Sequence, residues 1–462
     1  MSFTILGDIV MWLVTLLLLS IAFIVLATTR LTMHPFLALL ITAFGFGILS
    51  GMPLNEVVDA VNQGFGDTIG YIGIVILAGA IIGAFLERSG GAYCLATSLL
   101  KLTGQRHVPA AMAGMGYLVS IPVFCDSAFV LLSPLMRALA SKAGITLASA
   151  AVALSLGLYA THTMVPPTPG PVAAAGILGA DLGLVILWGM AVGLVSLVAG
   201  WLFAVLVASR TSIAPEGGPG VDSGHEKTVD QISETGMPSI LHALLPIFLP
   251  IVLIVARSIA ELPSKPFGDG GTALALLGFL GQPSVALLIG VAFAMTLPKR
   301  FDRQRLSMTG WVGEAIVSAA TIIVITGAGG AFGKVLQHSG IADVIGDALA
   351  GIHLGVWLPF IIAASIKTAQ GSSTVAIITT ASLVAPLLSN LGLDGEAQRA
   401  LAVVAIGAGA MVVSHANDSY FWVVTQFSGM DVQTGYRLQT LGTLVQGTAA
   451  ACAVYLVTLV AL

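Results

Sequence analysis

The sequence predicts an all-α integral membrane protein built from an inverted repeat, in which two re-entrant hairpins and two broken helices meet near the bilayer midplane. Three observations carry this. Hydrophobic residues make up 57% of the 462 positions and charged residues only 9%, with a mean hydropathy of +1.00. A soluble domain of that composition could not cover its apolar surface. Ionisable residues stand inside apolar stretches beside prolines or glycines, where a continuous helix cannot run and the backbone must line protein or water. A Gly-rich motif recurs roughly 250 residues downstream of its first copy.

Composition also excludes other classes. A length of 462 residues accommodates about ten to twelve spans of roughly 20 residues with short loops, and no large soluble domain. The formal net charge is -4 and the basic residues are scattered, so nucleic-acid binding has no electrostatic footprint. Cys94, Cys125 and Cys452 lie far apart in or beside apolar segments, which suits isolated thiols and neither a disulfide framework nor a metal site. Asp8 precedes the first apolar run and no small-residue cleavage pattern follows it, which predicts a retained span.

In chain order, Ile9 to Thr28 and His34 to Met52 are the first apolar runs, joined through Arg30, which the positive-inside rule places in the cytoplasm. Pro53 to Asp67 carries Glu56, Asp59 and Asp67 with no basic residue and reads as external, closing an N-terminal membrane unit at 1–68. The first repeat, 69–209, starts with the span Ile69 to Leu86 and returns to a basic region with Arg88, Lys101 and Arg106. Ala92 to Leu102 suits an interfacial helix. The apolar stretch from Val108 to Met136 has basic residues at both ends and Pro122 and Asp126 at its centre, which predicts a hairpin entering from inside over about 107–138. A span from Ile145 breaks at THTMVPPTPGP, Thr161 to Pro171, and Leu182 to Ser209 returns to Arg210. Residues 210–238, rich in Gly, Ser, Glu and Asp, read as a cytoplasmic linker.

Scaffold helices follow over 239–310, as single spans at Ile240 to Ala260 and Thr272 to Leu297, before the basic cluster Lys299, Arg300, Arg303 and Arg305 fixes the inside. The second repeat, 311–462, crosses outward over Trp311 to Leu336. Its hairpin, at about 355–390, enters from outside around the polar centre KTAQGSST, Lys367 to Thr374. Leu401 to Val413 leads to a second break, SHANDS, and Leu438 to Ala461 ends the chain. LAGAIIGAFLERSGGA from Leu77 and GAGGAFGKVLQHSGIA from Gly327 share seven of sixteen residues, and each copy precedes a hairpin and then a broken span. Counting crossings gives the copies opposite orientation. That arrangement lets a secondary transporter expose one midplane site to alternate sides.

The hairpin tips, Cys125 to Ser127 and Gln370, Gly371, Ser372, Ser373 and Thr374, present half-helix N-termini that suit an anionic carboxylate. The breaks add His162, Thr163 and Thr168 on one side and His415, Asn417, Asp418 and Ser419 on the other, with hydroxyls and an amide for a polyhydroxylated substrate. Asp126, His162, His415 and Asp418 are the candidates for a coupling proton. The competing readings are structural: the carboxylates as helix–helix hydrogen-bond partners, the histidines as caps of broken backbone, and Lys367 as a snorkelling or paired cation. No cofactor and no metal ligand set is expected.

Four motifs taken together, IPVFCDSAFVLL from Ile121, VPPTPGPVAAAG from Val165, AQGSSTVAIITTA from Ala369 and SHANDSYFW from Ser414, resemble the gluconate permease (GntP) family of the wider ion-transporter superfamily. The resemblance covers nearly the whole chain. It implies proton-coupled uptake of gluconate or a related small hydroxy-carboxylate across the bacterial inner membrane. By superfamily analogy it also implies a scaffold and a transport domain, an elevator-like motion and, often, a homodimer. The family pattern has histidine where this chain has Thr168, so glycerate, hydroxybutyrate and D-serine-like substrates stand beside gluconate. A sodium-coupled carboxylate transporter, with hairpin carbonyls and Asp126 holding the ion, is the alternative. An intramembrane enzyme is a third class, without a recognisable nucleophile motif or metal-ligand spacing to support it.

Overall fold

The computed structural model describes residues 3–103, 107–214, 238–260, 270–300, 302–341, 354–416 and 418–461, among which every regular element is a helix. The expected linker 210–238 lies mostly outside them. Among the described residues, five segments are long and apolar enough to cross a bilayer: Met11–Thr28, Leu182–Arg210, Ile240–Ala260, Arg303–His338 and Val432–Val460. Two bent helix pairs raise that number to seven, and shorter apolar helices such as Leu147–His162 and Pro169–Leu178 fill the spaces between them. The short helices sit at the hairpins and breaks the sequence predicts, which is why a count by length falls below ten.

The N-terminal part contains α1 (Phe3–Thr29), α2 (Pro35–Leu49), α3 (Leu54–Arg88) and α4 (Gly91–Thr103). A first helix–turn–helix follows, α5 (Val108–Val119) and α6 (Cys125–Ala143), then α7 (Leu147–His162), α8 (Pro169–Leu178) and α9 (Leu182–Leu206). The middle holds α10 (Ile240–Ala260), α11 (Thr272–Leu280) and α12 (Pro283–Ala294). The last two correct the single span expected over Thr272 to Leu297: the chain turns by 68° at Gly281 and Gln282, because Pro283 starts a new helix at its first position. The second half repeats the order of the first. It runs α13 (Trp311–His338), then α14 (Trp357–Gln370) and α15 (Ser373–Val384), then α16 (Glu396–Gly409), α17 (Ser419–Ser428) and α18 (Leu441–Ala461).

The two copies of the Gly-rich motif lie in α3 and α13, which pack along each other in opposite directions. Gly64 lies against Gly330 and Lys334, while Phe85 stacks edge-on with Trp311 at 5.1 Å and Arg88 pairs with Glu314 at the other end. On its far side α3 presses on the irregular segments. A Cβ at Gly83 would stand 2.4 Å from the Pro122 carbonyl of the α5–α6 turn, and one at Gly79 would stand 3.0 Å from the Pro167 carbonyl of the α7–α8 break. The motif's glycines therefore let a helix approach two stretches of open backbone.

All sixteen residues of α7 are buried, as an apolar helix without a polar face requires. It is clamped to α5 by reciprocal glycines: a Cβ at Gly157 would lie 2.2 Å from the Ala113 carbonyl, and one at Gly116 would lie 2.5 Å from the Leu158 nitrogen. Close backbone approach through small residues is the usual packing device between membrane helices. Gly157→Ala should therefore lower stability by about 1–3 kcal/mol through overpacking. Gly45→Ala on α2, where nothing lies within 4 Å, should hold or slightly raise it. Apparent melting temperatures of the two variants in detergent check this.

Candidate functional site

Hairpin tips and breaks converge in one place. The first tip is made where Pro122 ends the apolar run and α6 begins after Phe124, an N-terminal cap residue that offers the helix no side-chain hydrogen bond. Asp126 stands in that first helical turn, and its Oδ1 is buried without a hydrogen-bond partner. The second tip forms at Gly371, with φ of 91°, where Ser372 caps α15 by accepting from Val375 N at 3.3 Å. Glycine takes that backbone conformation without steric penalty.

The second break is capped by a carboxylate. Asp418 accepts from Tyr420 N at 3.0 Å through Oδ1, which starts α17. Its Oδ2 accepts from Lys367 Nζ at 2.7 Å, from Ser414 Oγ at 2.5 Å and from Tyr159 OH at 3.4 Å. Lys367 is fully buried and also donates to the Gly371 carbonyl, so one ammonium holds the second tip to the second break. Tyr159 OH shares a 2.5 Å hydrogen bond with Ser373 Oγ, which joins α7 to the same tip. The ring of Tyr159 stacks on His162, with centroids 6.4 Å apart, and packs on Tyr420 at 5.0 Å. Phe124 and Phe129 bring the first tip onto His162 and Tyr420, at 6.1 and 6.2 Å. Phe129 of α6 thus meets the ring of Tyr420, the residue whose backbone nitrogen Asp418 accepts from, which brings the helix of the first tip to the second break.

Neighbouring side chains satisfy the backbone that the breaks expose. Thr440 Oγ1 donates to the Ser414 carbonyl at 2.5 Å, Ser414 N donates to Thr443 Oγ1 at 3.0 Å, and Thr161 Oγ1 donates to the Tyr117 carbonyl at 2.9 Å. Such bonds are what makes irregular backbone tolerable at membrane depth. Val413 keeps a φ of 56°, a left-handed conformation that β-branched residues rarely adopt, so the second break also stores local strain.

The expected residues divide by their surroundings. Cys125 is buried beside Asp126, and His162 is buried with Nδ1 unpartnered. Thr163 and Thr168 are buried too, but turn their hydroxyls to local carbonyls, those of Tyr159 at 3.3 Å and Val165 at 2.5 Å. His415 bonds through Nε2 to the Thr368 carbonyl at 2.8 Å and stacks on Tyr436. Ser127 and Thr374 are half-buried, while Ser372 and Ser419 are exposed. Asn417 and the side chain of Gln370 lie outside the described residues. Among the described residues no group of three or more His, Cys, Asp or Glu side chains could hold a metal ion.

Tyr159 and Tyr420 join the site although the sequence does not mark them, as does Ser414, which the sequence marks only as the start of the second break. Their signal was position alone: Tyr159 precedes His162 by three residues on one helix, and Ser414 and Tyr420 flank Asp418.

Residues 11–460 match the model of the GntP family permeases. The chain is 34% identical over 430 residues to a gluconate permease of Pseudomonas aeruginosa, covering 92% of each chain. It is 33% identical over 452 residues to the D-serine transporter DsdX of Escherichia coli, covering 97% of this chain and 99% of that one. Among solved structures it resembles the Alcanivorax borkumensis YdaH transporter, with a TM-score of 0.65 at 15% identity over 92% of this chain and 98% of that one. That likeness concerns the fold alone.

Proposed function

The chain belongs to the GntP permease family, and from that premise we propose that it carries a small hydroxy-carboxylate, or the amino acid of similar shape, across the bacterial inner membrane in symport with protons. It is a multi-pass integral membrane permease and not an enzyme. The observation that carries the proton-coupled reading is the unpartnered, buried Asp126 Oδ1 beside a Lys367–Asp418 pair that already balances its own charge.

The coupling follows from charge. Asp418 has four donors and Lys367 has two acceptors, so neither requires a ligand. His415 is likewise engaged. Of the four candidates for a coupling proton, Asp126 and His162 keep unpartnered buried atoms. If Asp126 is ionised, a substrate carboxylate entering the site meets a like charge. At a separation of about 4 Å and an effective dielectric of about 20, that repulsion is about 4 kcal/mol. A proton on Asp126 removes it, so anion and proton favour each other's binding reciprocally. The uncapped start of α6 offers the carboxylate a positive dipole end, and Ser373 and Tyr159 offer hydroxyls to the remainder of the substrate.

Alternation of access is supported by the antiparallel motif copies in α3 and α13 and by the repeated helix order. On this reading the α5–α6 and α14–α15 units are re-entrant from opposite sides. Relatives named for gluconate and for D-serine keep both substrates in view.

Proteoliposomes offered labelled gluconate, glycerate, hydroxybutyrate or D-serine should accumulate at least one of them above equilibrium only under an inward proton gradient. Uptake of every accepted compound that ignores protons and follows sodium overturns the coupling.

A further inference from the structure

α8 and α15 both start at the site and both end at a cavity. That cavity has a volume of about 700 Å³ and lies between the α3–α13 pair and the far ends of α8 and α15. Ten residues of α8 at 1.5 Å each place it about 15 Å from the first break. Its charged lining residues are Asp67, Lys334 and Arg399, and Tyr71, Gln337 and Ser389 add polar groups. Asp67 is exposed, whereas Lys334 and Arg399 are half-buried. Lys334 has no hydrogen-bond or ion-pair partner among the described residues. Arg399 is held through Nε by the Asp394 carbonyl at 2.9 Å, with Nη1 beside Gly179 at the end of α8.

The other end of the α3–α13 pair is filled. There Phe85 packs on Trp311, Arg305 covers the Trp311 ring at 4.6 Å, and Arg88 pairs with Glu314. The basic cluster at Arg300, Arg303 and Arg305 marks that filled end as cytoplasmic, which puts the cavity on the external side.

We propose that this external cavity is an entry site, in which Lys334 and Arg399 bind the carboxylate of an incoming small acid before it passes along α8 and α15 to the hairpin tips. The cavity supplies two cations against one acid, in a recess whose low-dielectric walls focus their field. This role rests on the transport reading above, but the local field does not, and the two can be tested apart.

Ser389→Cys, with Gln337→Cys as a second reporter, places a thiol in the cavity wall. The reconstituted protein is reacted with sulfonatoethyl and with trimethylammonioethyl methanethiosulfonate, and the label on the reporter peptide is quantified by mass spectrometry. Lys334→Gln combined with Arg399→Gln should lower the anion-to-cation rate ratio by about tenfold. Millimolar gluconate, or glycerate or hydroxybutyrate in its place, should slow labelling only when the cations are present. In uptake assays at low ionic strength the same double variant should raise KM about five- to tenfold with little change in maximal rate, and salt should reduce the difference. An unchanged rate ratio in both reporters overturns the entry site, whether or not any acid is transported. A lowered ratio without protection by substrate, or with an unchanged KM, leaves a cationic recess that does not bind substrate and equally overturns it. Failure of the wild type to accumulate any acid while the ratio falls counts against the transport reading alone.

Discussion

Asp126→Asn is expected to abolish accumulation against a gradient while leaving an inserted, folded protein that still equilibrates its substrate. The amide keeps the size of the carboxylate and a hydrogen-bonding oxygen at the tip of α6, but it cannot take up and release a proton. Asp126 Oδ1 has no hydrogen-bond partner to lose on this change. The substrate carboxylate then meets a permanently neutral neighbour, so affinity should become nearly independent of pH. Counterflow in proteoliposomes separates the two functions: exchange of labelled for unlabelled substrate should persist, and proton-driven concentration should fall to the equilibrium level. Full accumulation by Asp126→Asn would remove the residue from the coupling step and pass the role to His162, the other group with an unpartnered buried atom.

Lys367→Met should be the most destabilising single change in the site. It removes the ammonium from a fully buried position and leaves Asp418 with 6% side-chain exposure and no counter-charge. Breaking a buried pair in this way costs about 3–5 kcal/mol, because the surviving charge stays desolvated. The second tip also loses the donor that ties the Gly371 carbonyl to the second break. Replacing both partners, with Lys367→Met and Asp418→Asn together, should restore most of the stability, since the asparagine carries no charge, keeps its oxygen for Tyr420 N and turns its amide nitrogen to Ser414 Oγ, whose hydroxyl can accept instead of donate. Melting temperatures of the two single variants and the double variant form the cycle that checks this. Additive losses would show that Lys367 and Asp418 do not act as a pair.

What the sequence made legible was whatever departs from membrane composition. Asp126 and Asp418 stood out because lipid does not tolerate a carboxylate, and the two tips stood out because Pro122 and Gly371 interrupt apolar runs. The broken helices followed from the prolines after Val165 and the polar run from Ser414 in the same way. Pairing was not legible. Lys367 and Asp418 are 51 residues apart and meet only because α14 and α17 fold onto one place. A lysine in an apolar helix reads equally as snorkelling or paired until its partner is known. Tyr159 and Tyr420 carry no signal in the sequence for the opposite reason. An aromatic ring in an apolar helix looks like packing, and the hydrogen bonds their hydroxyls make, to Ser373 Oγ at 2.5 Å and to the Ser155 carbonyl at 3.0 Å, are tertiary. The turn at Gly281 and Gln282 is hidden by a hydrophobic run that continues through it, with Pro283 as its one local signal.

The most direct test of proton symport uses proteoliposomes loaded with a pH-sensitive dye and no imposed gradient. Adding an accepted substrate outside should acidify the lumen in the wild type, with protons entering as the anion enters, and should leave it unchanged in Asp126→Asn. Substrate entry into the wild type without acidification, or acidification of equal size in Asp126→Asn, would contradict coupling through this carboxylate.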